Sequence, residues 1–353
     1  MYVASVGRAF PPNYVDQDAL IEAFRAAWGG AFHNPARVEQ LHKAVLVGGR
    51  HLALPMQEYA KLTGFGQAND AWIRVGLDVG EAAVHSALDR AGLRPHDIDA
   101  LYFTSVTGVA APSLDARLVN RMGLRSDVKR VPIFGLGCVA GAAGIARCAD
   151  YVRAFPDHVA VILSVELCSL TLQRDDFSIP NLIATGLFGD GAACAVVVGA
   201  GRPPPVAKRL PEIIATRSVF YPDTEGVMGW SIGDSGFRIV LSAEVPEMVR
   251  KHLRADVERF LADNGVSLGE IHTWIAHPGG PKVLEAMADT FALPADALAR
   301  TWASLRELGN LSSSSVLCVL GDTMADPPPA GTLGLLAAMG PGFCSELVLV
   351  RWT

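Results

Sequence analysis

The stretch Val131–Asp150, VPIFGLGCVAGAAGIARCAD, restricts the possible folds more than any other part of the chain. An apolar run ends in Gly135, Leu136, Gly137 and Cys138 and passes into a series of small residues. This reads as a buried strand, a tight glycine turn and a helix that begins at or just after Cys138. Gly135 and Gly137 permit backbone angles closed to other residues. Ala140, Gly141, Ala142, Ala143 and Gly144 give the helix almost no side-chain width, so it can lie deep between other elements. A thiol at its amino end sits near unpaired N–H groups and the positive end of the helix dipole, a setting that lowers a cysteine pKa. Cys138 is the candidate nucleophile. Two other readings compete: an inert core thiol, and a dinucleotide-binding turn formed by Gly135-x-Gly137-x-x-Ala140 with Glu166 ending the next apolar strand. What separates them is whether Cys138 has chemical partners elsewhere.

The 353 residues suffice for one large domain or two fused halves. Half of them are hydrophobic, yet no uncharged apolar run reaches the roughly 18 residues that would suggest a membrane span. The net charge of −6 argues against a nucleic-acid partner. The six cysteines include no CxxC pair and no Cys/His zinc spacing, so no metal is expected. The opening MYVASVGRAF lacks the pattern of a signal peptide, which places the chain in the reducing cytoplasm with free thiols.

Met1–Phe10 reads as a first strand, and Asp16 or Asp18 caps a helix carrying Ala19–Trp28. Residues 30–60 read as irregular, with Arg37, Lys43 and Arg50 as cations available to an anionic substrate tail. An amphipathic helix over Asp70–Gly92 precedes a strand over Asp97–Val106 and a helix from Leu114 to Met122. His158–Glu166 has the continuous apolar character of a buried parallel strand. The Gly201–Pro205 linker divides an amino-terminal half, 1–205, from a carboxyl-terminal half, 206–353. Asp97–Tyr102 and Glu270–Ile275 share an acid-Ile-x-x-apolar character, an echo that suggests two similar α/β halves facing each other.

Two further stretches look like partners for the cysteine. Trp274–Leu284, WIAHPGGPKVL, ends a buried strand at His277 and then turns rigidly. In Leu308–Leu320, Asn310 opens a helix whose first turn is all serine, as an N-cap would. Cys138 as thiolate can attack a thioester carbonyl and carry the acyl group, with His277 beside it as imidazolium. His277 and Asn310 can donate to a carbonyl oxygen that becomes negative. This set suits decarboxylative Claisen condensation, but hydrolases use the same residue types.

GLGCVAGAAG around Cys138, LFGDGA at 187–192, HPGGPK at 277–282, GNLSSSSV at 309–316 and GPGF at 340–343 occur in order. Together they resemble the type III polyketide synthases, the chalcone synthase-like family, along essentially the whole chain. The resemblance implies an α/β thiolase fold of five alternating layers, αβαβα, built from two similar halves and working as a homodimer. It also implies iterative extension of an acyl-CoA starter with malonyl-CoA, without acyl carrier protein, metal or cofactor. Cys138 is then the nucleophile, His277 and Asn310 hold the enolate oxygen, and Phe188 is an aromatic gatekeeper. Thr171, Glu166 and Ser312 fall where the family lines its cyclisation cavity, and Gly340, Pro341 and Gly342 match the loop that shapes it.

The departures concern substrate. Ile239 stands near a second gatekeeping phenylalanine of the plant enzymes, Ala111 where a partner's methionine crosses the plant dimer, and Val106 where many members carry threonine. Cys168 takes another cavity position. These residues imply apolar room beside Cys138, and VELCSLTLQRDD resembles bacterial members that accept long fatty acyl starters. The expected product is an alkylpyrone or alkylresorcinol, and the loss of threonine at Val106 favours the pyrone. A carrier-protein-dependent ketoacyl synthase III, a non-catalytic scaffold and an oxidoreductase are the competing readings.

Overall fold

The computed structural model describes residues 1–28, 36–202 and 209–353. Nine strands of the described residues form one continuous sheet. From one edge the order is Ile271–Ala276, Leu333–Gly340, Cys344–Trp352, Pro211–Phe220, Tyr2–Ala9, Asp190–Val198, Val159–Leu167, Ala100–Thr104 and Lys129–Ile133. The halves repeat one pattern. Ala100–Thr104 runs parallel to Val159–Leu167, which is antiparallel to Asp190–Val198. Ile271–Ala276 likewise runs parallel to Leu333–Gly340, which is antiparallel to Cys344–Trp352. Before each outer strand an acid turns back onto the chain, Asp97 accepting from the Arg94 N–H and Glu270 from the Ser267 N–H, both at 2.8 Å. The echo in the sequence is a structural repeat.

Side chains alternate across each half-sheet. Ala160 and Ile162 pack into a central core with Ile145, Ala149, Val316 and Leu317, which also receives Leu336 and Ala338 from the other half. Val161 and Leu163 face the opposite way, onto Val79, Ala83 and Leu118. Leu335 and Ala337 point away from the centre onto Phe260, Leu284 and Leu305. Helices Phe65–Ala91 and Leu114–Met122 therefore cover one outer face, and Arg254–Ala262, Pro281–Phe291 and Ala299–Leu308 the other. Ala140–Ala154 and Ser313–Ala325 fill the space between the half-sheets. This is the five-layered αβαβα arrangement, with each buried aliphatic side chain contributing about 1.5–3 kcal/mol over an exposed one. No described helix is long and apolar enough to cross a membrane.

The central layer needs the small residues. A Cβ on Gly141 would lie 2.2 Å from the Ser313 carbonyl oxygen, and one on Gly144 would lie 2.4 Å from Ile162. Three expectations change. The strand leading to Cys138, Lys129–Ile133, lies at the sheet edge and is largely exposed, because only one neighbour pairs with it. Val159–Leu167 is fully buried, yet one of its two neighbours is antiparallel. The stretch expected to be irregular contains the helix Ala36–Ala44 and the strand Gly49–Leu52, which pairs with Asn13–Asp16. Asp16 ends that strand and stands directly before the helix, which begins at Gln17. The proposed domain boundary at 205 lies outside the described residues.

Because the atom facing Gly141 is backbone, it cannot swing aside. Gly141→Val is expected to lower stability by about 2–3 kcal/mol, seen as a lower urea midpoint at unchanged slope. An unchanged midpoint would contradict this packing.

Candidate active site

A cavity of about 520 Å³ is lined from both halves, with Val106, Cys138, Cys168 and Phe188 on one side and His277, Asn310, Ser312 and Pro341 on the other. Cys138 sits in the 3₁₀ turn Gly137–Val139, which runs directly into the helix Ala140–Ala154. Gly137 has φ +56°, and a Cβ there would come 2.6 Å from the Pro341 ring. Gly340 packs equally tightly, since its Cβ would lie 2.7 Å from the Leu136 carbonyl oxygen. The GPGF loop of the second half therefore clamps the cysteine turn. Pro341 reaches the cavity, whereas Gly340 and Gly342 lie behind it.

His277 follows the strand Ile271–Ala276, and its backbone N–H donates to the Ala337 carbonyl at 3.0 Å. Both its ring nitrogens are buried without a partner. Buried polar groups are almost always satisfied, so two open nitrogens on a cavity wall are a place for substrate.

Asn310 is fixed through its backbone. Its N–H donates to the Leu187 carbonyl at 2.9 Å and its carbonyl accepts from the Gly189 N–H at 3.0 Å, bracketing Phe188. The preceding Gly309 has φ +71°, and a Cβ would lie 2.7 Å from the Leu187 oxygen. The Asn310 Oδ1 accepts from the Ser312 N–H at 2.8 Å. That bond turns the amide nitrogen the other way, where Nδ2 makes one long bond to the Gly279 carbonyl at 3.3 Å. Asn310 is not the N-cap: the helix starts at Ser313, and Ser312, at φ +48°, occupies the cap position. Asn310 stands two residues earlier, with a donor to spare.

Burial dominates the electrostatics. It pushes the Cys138 thiol up to about 12, against the Ser312 hydroxyl and the Asn310 side chain, and the negative Glu166 adds to the rise. It pushes His277 down to about 3. The expectation that the helix end would lower the cysteine pKa gives way here, because loss of water outweighs the dipole. Neither charge stands alone in this dry space. Burial favours the neutral thiol and the neutral imidazole, and a thiolate in this space would need an opposite charge beside it.

Glu166 lines neither cavity. It is fully buried, accepts from Ser313 Oγ, from the Val106 N–H at 3.1 Å and from Thr107 Oγ1 at 3.1 Å, and burial raises it to about 7. Ala111 is exposed, also outside both cavities, at a cis peptide bond to Pro112. Thr171 lines a second cavity of about 540 Å³, formed with Leu20, Phe24, Trp28 and Tyr59. Cys168, Phe188, Ile239 and Trp230 face both cavities and form the wall between them. Trp230 was not anticipated; its only signal was a lone large aromatic in the glycine-rich MGWSIGDSG. Of the cations, Lys282 lines the reaction cavity, Lys43 pairs with Glu39 at 2.7 Å and Arg37 lies exposed on its helix. Arg50 is buried and donates to the Thr185 and Phe188 carbonyls, each at 2.9 Å, so it is not offered to a substrate phosphate.

The family models for the N-terminal and C-terminal domains of chalcone and stilbene synthases match residues 1–202 and 212–353. The chain belongs to this family, the type III polyketide synthases. It is 55% identical over 354 residues to a 1,3,6,8-tetrahydroxynaphthalene synthase of Streptomyces peucetius subsp. caesius, covering 99% of this chain and 93% of that one. It is 32% identical over 286 residues to an alpha-pyrone synthesis polyketide synthase-like protein of Mycobacterium tuberculosis, 78% of this chain and 70% of that one. The crystal structure of the tetrahydroxynaphthalene synthase from Streptomyces coelicolor A3(2) superposes with a TM-score of 0.94 at 30% identity, over 100% of this chain and 99% of that one. The synthase is thus a condensing acyltransferase with the thiolase fold. Type III polyketide synthases use CoA thioesters and need no acyl carrier protein, which removes the carrier-dependent, scaffold and oxidoreductase readings.

His277→Gln leaves the thiol with its burial-raised pKa. Alkylation of Cys138 by iodoacetamide at pH 7 is expected to fall at least about a hundredfold and to climb steadily towards pH 10. Equal rates and equal pH profiles in the two proteins would contradict the pairing.

Proposed function

We propose that the synthase builds a ten-carbon aromatic polyketide of the tetrahydroxynaphthalene type from malonyl-CoA alone. The 55% identity along 99% of the chain carries this reading, and Trp230 supports it by closing the reaction cavity on the side where a long starter would extend. A naphthalene skeleton has ten carbons, which is five two-carbon units.

Cys138, giving its proton to His277, attacks the thioester carbonyl, and the CoA thiolate leaves. A malonyl-CoA then binds with its carbonyl oxygen between the open nitrogens of His277 and the Nδ2 of Asn310. Carbon dioxide departs and its bonding electrons become the enolate, held by these donors. Phe188 shields the carbanion from water. The enolate carbon attacks the acyl group, a carbon–carbon bond forms, and the Cys138 sulfur leaves as thiolate. These steps call for no metal and no resident cofactor. The exposed edge strand Lys129–Ile133, with Val131 and Phe134 open at its end, is the face we assign to a second subunit.

The long-chain starter and alkylpyrone or alkylresorcinol product form the second reading. The second cavity favours it, as an apolar space across a four-residue wall from Cys138. Mass spectrometry of products separates the two. Malonyl-CoA alone is expected to give a C10 aromatic product that is lost in Cys138→Ala. No product from malonyl-CoA alone, with pyrones or resorcinols from C12–C18 acyl-CoAs, would overturn the first reading in favour of the second.

A further inference from the structure

We infer that Gln173 is a positioning residue that sets the wall between the two cavities, and through it the length of acyl chain that Cys138 accepts. The inference rests on the condensing chemistry of the family and not on the malonyl starter proposed above.

The wall has two parts. Cys168 belongs to the turn Cys168–Thr171, and Trp230 and Ile239 pair directly across the hairpin Met228–Gly233/Gly236–Leu241. This hairpin forms a sheet of its own, apart from the nine-stranded one, so the main sheet does not fix its position. Gln173 joins the two parts. It is 5% exposed, and its Nε2 donates to the Thr171 carbonyl at 3.3 Å, the Ser235 carbonyl at 3.0 Å and the Phe237 carbonyl at 3.2 Å. One amide group therefore ties the Cys168 turn to both sides of the hairpin bend. The Gln173 backbone carbonyl accepts from Asn181 Nδ2 at 3.0 Å, which brings in the helix that leads to Phe188.

Packing transmits the constraint to the wall. Gly236, between the two bonded carbonyls, has φ +93°, and a Cβ there would lie 2.8 Å from the Phe65 ring. Phe237 packs edge-on against Phe65 at 5.5 Å and lies 6.0 Å from Trp230 between ring centres. Without the Gln173 donors the bend keeps the ring contacts of Phe237 with Phe65 and Phe134 and the Arg238–Ser235 bond but loses its tie to the Cys168 turn, so Trp230 and Ile239 can shift towards the second cavity. Gln173 lines neither cavity, so it acts only through these neighbours.

The test is the rate of Cys138 acylation, read by intact-protein mass with acetyl-CoA or dodecanoyl-CoA and no malonyl-CoA. This makes it independent of the product. Gln173→Met keeps the volume and removes the donors, and Gln173→Glu sets carboxylate oxygens against three carbonyls. Either is expected to leave acetylation within about twofold while raising the dodecanoyl-to-acetyl ratio about tenfold. Trp230→Ala is expected to raise the same ratio, and Gln173→Met added to it to bring little more, since the two share one wall. A proportional loss with both thioesters, an unchanged ratio, or full additivity with Trp230→Ala would each overturn the inference.

Discussion

The site depends on one short weld between the two halves of the chain. The backbone of Asn310 exchanges hydrogen bonds with Leu187 and Gly189, on either side of Phe188. Asn310 belongs to the second half and Phe188 to the first, so the amide we assign to the enolate and the ring we assign to shielding it share one piece of backbone. The weld also explains local oddities of sequence. Gly309 is needed because a side chain there would strike the Leu187 carbonyl. Arg50, fully buried, braces the far side by donating to the Phe188 carbonyl. A second clamp, Pro341 seated on Gly137, fixes the cysteine turn against the same half.

With the positions fixed, the absence of water sets the chemistry. A buried thiol and a buried imidazole each resist charge, and moving a proton from one to the other gives both charges at once without changing the total. The same dryness strengthens the donors aimed at a developing enolate. Glu166 shows the cost of placing an acid here. Burial raises it to about 7 despite several donors, so near pH 7 only about half of it is ionised, and it sits behind the cavity wall.

Much of this was legible in the sequence. The run Ala140–Gly144 announced a helix buried on all sides, and the glycines and prolines around His277 announced a held side chain. What was hidden depends on tertiary neighbours. An edge strand and a central strand can share the pattern VPI, because exposure of Lys129–Ile133 follows from which strands pair, not from composition. Asn310 resembles an N-cap because its side chain does cap a backbone N–H; only the fold reveals that the helix begins later. Arg50 resembles a surface cation until carbonyls from a segment some 135 residues away enclose it. Trp230 joins Cys168 and Phe188, and Gln173 reaches Ser235 and Phe237, only in three dimensions.

We assign Asn310 to stabilising the enolate, a role that leaves acylation of Cys138 alone. It is tested most directly by comparing two rates in Asn310→Ala: malonyl-CoA decarboxylation, and loading of Cys138 by an acyl-CoA. Decarboxylation is predicted to fall about 10²–10³-fold, with loading within about tenfold of the unaltered protein. Equal losses in both rates, or decarboxylation that survives the substitution, would contradict the account.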